Sequence, residues 1–153
     1  MEADISLENS KNTAKEALVF ALVGLNGKWK WPIAYFFKHS MTPSILKELI
    51  ETALILTAEA QLYVRAITCD GETVNSATLK ALGCNIFVSD ITQLKHYFMH
   101  PTLNYKIYIL LDACHMLKLG RNALAEYKAF SDAGSLIEWA YIIKLYNIQM
   151  QLL

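Results

Sequence analysis

The sequence predicts a mixed α/β fold, and three observations carry that reading. Apolar, β-rich runs flank Asn26-Gly27 on both sides, the pattern of an antiparallel hairpin. Thr42-Pro43 opens a segment whose apolar residues recur at helical spacing. Two further β-rich runs, 62–69 and 106–111, stand far enough apart for a crossover, which favours parallel pairing beside the hairpin.

The chain has 153 residues, about one domain, of which 54% are hydrophobic and 18% charged. That composition excludes a disordered tail and leaves enough apolar surface for a core. Lys+Arg and Asp+Glu balance at 14 each, so the net charge alone predicts no affinity for nucleic acid. Cys69, Cys84 and Cys114 have no disulfide-framework spacing and suit a reducing compartment. Residues 1–16 carry four acidic side chains and no apolar stretch, so no signal peptide is expected. The run ALVFALVGL (17–25) is far short of the roughly 20 residues a spanning helix needs. A soluble, intracellular chain with no membrane partner is expected.

Taken in order, strands are expected near 17–25 and 29–37, joined through a type I′ turn at Asn26-Gly27. Pro32 cannot donate a ladder hydrogen bond, which places its strand at a sheet edge. A helix over about 43–58 follows, capped by Thr42, with Ile45, Leu46, Leu49, Ile50, Ala53 and Leu54 at helical spacing. The run 62–69 is a strand, 76–82 a short helix stopped by Gly83, and 84–105 mostly loop. KIYILL (106–111) is a buried strand leading into a helix over about 112–128. Ser135 and Glu138 form a capping-box pattern before a last helix with Trp139, Ile143, Tyr146 and Met150 on one face.

Two places carry candidate chemistry. Asp70-Gly71 ends the third strand, where ligands gather in open α/β sheets, but an Asp-Gly pair is equally a turn signal. In DACHMLKLGRN (112–122) a helical wheel gathers Met116, Leu117, Gly120, Ala123 and Leu124 on one side. Asp112, His115, Lys118, Arg121 and Asn122 lie on the other, interrupted by Leu119. That face reads as solvated, or as a surface for phosphate or another domain. GLNGKWK lacks the frame and hydroxyl of a phosphate-binding loop. His96 and His100 have no paired cysteines at zinc-finger spacing, and no Gly-x-Ser-x-Gly elbow is present.

Four stretches, in order and at these intervals, resemble the P-element-type DNA transposases, which include the THAP-domain transposases of animals. They are EALVFALVGLNGKWKWPIAYFF, AITCDGETVN…LKALGCN, FMHP…YKIYILLDACHMLKLGRNAL and IEWAYIIKLYNIQ. The resemblance runs from about residue 15 to 150, and CDGETVN and DACHMLKLGRN are its most specific pieces. It implies a partial RNase H-like fold over 1–105, with 106–153 forming the last strand and the helices that open an insertion domain. In the family two Asp and one Glu hold two Mg²⁺ or Mn²⁺ ions, and Asp70 matches the second Asp as a catalytic, metal-binding residue. The resemblance therefore favours ligand over turn for Asp70.

The first Asp belongs to a strand that MEADISLENSKNT is too short and polar to hold whole, and Asp4 aligns better with the loop after it. The Glu lies beyond a GTP-binding insertion, so Glu138 does not take its role. The expectation is thus a partial catalytic domain, inactive alone, in a family that cleaves DNA and joins its ends. Its expected partners are DNA, and a full-length transposase or a second copy, in the nucleus. A domesticated DNA- or transposase-binding module is the second reading. The third, a nuclease using Asp112 or Glu72 beside Asp70, needs carboxylates that the resemblance does not supply.

Overall fold

The computed structural model describes residues 13–86 and 88–152. The first two strands, β1 (Glu16–Val23) and β2 (Lys30–Lys38), form the expected antiparallel hairpin. Its turn differs from expectation. The carbonyl of Gly24 accepts from Gly27 N–H at 2.8 Å, and the ladder closes at Gly24 N–H to Trp29 O, 2.9 Å. A four-residue loop thus replaces the two-residue one, with Gly27 taking the positive φ of +68°. Pro32 acts where the ladder slips: Phe20 faces Ala34 but Ala21 faces Pro32, leaving Ile33 as the extra residue of a bulge. Beyond the bulge the register moves by one, and Glu16 comes to face Lys38.

Helix α1 (Pro43–Glu59) starts as expected, with Thr42 Oγ1 accepting from Ile45 N–H at 3.3 Å. Strand β3 is only Ala66–Cys69, shorter than the apolar run: Gln61 turns left-handed (φ 62°), and the ladder to β5 begins with Arg65 O accepting from Tyr108 N–H at 2.9 Å. Helix α2 (Thr73–Ala81) begins three residues earlier than the sequence suggested and ends at Gly83 (φ 95°). The stretch 84–105 is not all loop. It holds a 3₁₀ turn (Ile91–Gln93) and a short strand, β4 (Tyr97–Met99), too brief to show a period. Strand β5 (Lys106–Leu111) lies between β3 and β4 in the sheet, parallel to β3 and antiparallel to β4.

The core follows from β5. Ile107 and Ile109 alternate onto one face and meet Leu54 of α1, Leu79 of α2, Cys84 and Phe98. Fully burying such an aliphatic side chain is worth about 1.5–3 kcal/mol. His100 is buried at the core's edge. Its Nε2–H donates to Leu54 O (3.1 Å), while Nδ1 accepts from Thr102 N–H (3.2 Å) and Leu103 N–H (3.1 Å), a structural task rather than a metal ligand's.

Helix α3 (Ala113–Tyr127) ends at a left-handed Lys128. The capping-box reading of Ser135 and Glu138 is overturned. Ser135 begins β7 (Ser135–Glu138), paired with β6 (Ala129–Asp132) across Ala133-Gly134, both at positive φ. That two-residue turn uses Gly134, and Glu138 makes no side-chain cap for α4 (Trp139–Gln151). The β1–β2 hairpin pairs with no further strand among the described residues. The segment Ala3–Leu7, and Asp4 with it, lies outside them.

Candidate functional site

Parallel strands β3 and β5 end together: Cys69 faces Leu111, and Asp112 N–H donates to Cys69 O at 2.9 Å. Asp70 and Asp112 therefore leave the sheet side by side at its carboxyl end, the position where open α/β sheets bind ligands. Their side chains then do different things.

Asp70 is half-buried. Its Oδ1 accepts from Glu72 N–H (3.1 Å) and Asn75 Nδ2 (2.6 Å), so one oxygen closes an Asx turn that starts α2. Oδ2 has no hydrogen-bond partner among the described residues. The turn is thus made by Oδ1, and Oδ2 takes no part in it. Gly71 gives clearance: a Cβ there would stand 3.3 Å from Met116 Cε of α3.

Asp70 lines a cleft of about 340 Å³ between the end of β3 and the foot of the β1–β2 hairpin. Glu72, Asn75, Glu16 and Lys38 line it too. Lys38 Nζ bonds Glu16 Oε2 at 2.8 Å. That bond holds the Glu16 carboxyl below its usual range and pushes the Lys38 ammonium up; partial burial opposes the rise of Lys38, and Glu72 and Asp70 add weaker attraction to it.

The second sequence-predicted group stands elsewhere. Asp112 Oδ1 accepts from Cys114 N–H (2.9 Å) and His115 N–H (3.1 Å), capping α3, and Asp112 does not line the cleft. His115 is half-buried, Lys118 and Arg121 are exposed, and Arg121 bonds Asn122 Oδ1 on its own helix at 3.1 and 2.6 Å. Met116 meets Gly71, and Lys118 follows two positions on, about 200° around the helix. The polar face of α3 thus turns away from Asp70, and the two candidate sites are not one.

A divalent ion fits here in part. Asp70 offers one free carboxylate oxygen, the hard donor that Mg²⁺ or Mn²⁺ takes. Among the described residues no three His, Cys, Asp or Glu side chains are grouped to hold an ion. Sequence reasoning missed Lys38 and Glu16. A hairpin centred on Asn26-Gly27 pairs Glu16 with Phe37, and only the bulge at Pro32 brings Lys38 opposite.

Two family models match the chain: "TNP-like, RNase H N-terminal domain" over residues 1–83 and "TNP-like, GTP-binding insertion domain" over 114–153. The human protein described as DNA transposase THAP9 is 27% identical over 139 residues, 90% of this chain and 15% of that protein. The Transposable element P transposase of Drosophila melanogaster is 32% identical over 100 residues, 65% of this chain and 12% of its own length. Among solved structures, the Drosophila P element transposase strand transfer complex superposes with a TM-score of 0.66 at 24% identity, over 85% of this chain and 27% of that one. This likeness establishes the shared fold, and the chain spans well under a fifth of the length of both transposases.

Proposed function

The chain belongs to the P-element-type transposase family, and on that footing we propose that Asp70 is one metal-binding carboxylate of a DNA-cleaving and strand-joining site. The observation that supports it is that Asp70 lines the cleft while only its Oδ1 is taken up by Glu72 N–H and Asn75 Nδ2. A carboxylate held this way presents its free oxygen without losing rotamer freedom when an ion arrives.

Two-metal phosphoryl transfer needs ions about 4 Å apart, held by several carboxylates. When bound, the ions supply charge neutralisation at the attacking and leaving oxygens. Asp70 alone cannot hold both, so residues 13–152 are proposed to contribute one ligand and the fold that positions it, and to be silent as a nuclease by themselves. The division between RNase H-like part and insertion is proposed to follow β5, since β5 is bonded on both sides within its sheet. GTP binding is proposed for the larger insertion that α3 to α4 begin. Nuclear residence follows from acting on DNA; no helix among the described residues is long and apolar enough to cross a membrane.

The test is Mn²⁺ titrated into the full chain and followed by electron paramagnetic resonance, beside Asp70→Asn and Asp112→Asn. Asn keeps an oxygen for the Asx turn or the helix cap while removing the charge. Weak binding by the wild type, lost in Asp70→Asn and kept in Asp112→Asn, is expected, with no cleavage of labelled DNA by any of the three. Equal Mn²⁺ binding by wild type and Asp70→Asn would overturn the assignment.

A further inference from the structure

We infer that Lys38 is a phosphodiester-contacting residue of the Asp70 cleft, and that Glu16 is a resident anion occupying its ammonium until nucleic acid arrives. This rests on the reading of the cleft as a nucleic-acid site and adds to it a substrate-positioning residue on the hairpin.

The ion pair is lopsided. The Lys38 side chain is 21% exposed and that of Glu16 64% exposed. In an ordinary surface pair both ends are solvated and little is gained. Here the lysine is the more covered member and lines the cleft, while the glutamate reaches it from water. Lys38 is also the one cation among the described residues that line the cleft, which otherwise presents the carboxylates of Asp70, Glu72 and Glu16.

Lys38 comes within 4.0 Å of Glu16 but of neither Asp70 nor Glu72. It shares the cleft with both carboxylates, which attract it weakly without pairing with it. An ammonium has three donors and serves as a compact point charge for phosphate. Glu16 takes one donor, leaving two. A phosphodiester entering between Lys38 and Asp70 exchanges one oxyanion partner for another, and the exposed Glu16 swings into water at little cost. Pro32 is part of the device. Without its bulge, Glu16 would face Phe37 and Lys38 would have no cross-strand carboxylate.

The structure thus assigns opposite signs to the two partners. The experiment measures fluorescence anisotropy of a labelled DNA duplex with the full chain over a salt series, with Ca²⁺ present to neutralise the carboxylates. Lys38→Met should weaken binding roughly five- to tenfold near 0.1 M salt and flatten the log–log salt slope by about 0.9. Lys38→Arg should retain affinity, and Glu16→Gln should tighten it. Parallel losses in Lys38→Met and Glu16→Gln would mean a merely structural pair and overturn the proposal. So would unchanged binding in both, or no duplex binding by the wild type. Mn²⁺ binding at Asp70 is read separately and survives Lys38→Met, so the two readings fail independently.

Discussion

The β3–β5–β4 sheet and the β1–β2 hairpin are both built from apolar, β-rich sequence, yet only the first makes a core. Ile107 is 0% exposed, whereas Trp31 is 70% and Phe37 73% exposed. The sheet has α1 and α2 laid over one face. The hairpin has aromatic residues on its open face, Tyr35 against Phe37 at 5.6 Å, and nothing covering them among the described residues. Helix α4 repeats the case, with Tyr141, Leu145, Tyr146 and Ile148 all more than half exposed. Burial is decided by the partner, and hydrophobicity only sets how much a partner would gain.

The strongest way to break this comparison is to truncate one isoleucine in each region. Ile107→Ala removes a fully enclosed side chain between two helices and a sheet and should cost about 2–5 kcal/mol, enough to unfold a marginal domain. Ile143→Ala in α4 opens no cavity and should change stability by less than about 0.5 kcal/mol. Urea denaturation followed by circular dichroism reads both. A large loss in Ile143→Ala would show that α4 is covered in solution, by a second copy or by other chain, and that its exposure here is not its working state.

The same contrast explains what could be read from the sequence. KIYILL was legible to the residue because alternation and burial agree along it, and Thr42-Pro43 because the cap and the fixed φ of proline act locally. Asp70 was legible as a strand-end acid, though not that only its Oδ1 makes the turn. Strand β4 was not, since three residues show no period, nor was β6–β7, where Ser135 and Glu138 mimic a cap while Gly134 makes a turn. The Glu16–Lys38 pair escaped for a different reason. It depends on a one-residue slip at Pro32, and a register shift is a property of two strands together.

A smaller effect separates Asp112 from Asp70. If Asp112 is a helix cap and no more, Asp112→Ala should lose about 1 kcal/mol and Asp112→Asn should lose almost none, because Asn caps as well as Asp. Thermal melting of the three chains gives the answer. Should Asn fail to restore what Ala loses, the charge itself stabilises the chain there, through the positive end of the α3 dipole that Asp112 caps.

The mildest probe leaves stability untouched and asks which region opens first. The thiolate is the reactive form of cysteine, so exposure and a low pKa both speed labelling. Cys84 is 4% exposed in the core, and burial pushes its thiol up, with Lys95 pulling weakly the other way. Cys69 is half-buried on β3; burial first, then the neighbouring Asp70 carboxylate, push its thiol up too. Cys114 is exposed on the first turn of α3. A disulfide reagent at mildly alkaline pH should therefore label Cys114 at once, Cys69 slowly and Cys84 last, and urea should erase the order. The middle position is the informative one. Cys69 packs against the core at the end of β3, one residue before Asp70, so labelling as fast as Cys114 would mean that this edge of the sheet opens to solvent. Labelling as slow as Cys84 would mean that β3 opens only together with the core it packs against, and the base of Asp70 would then be as rigid as the core itself.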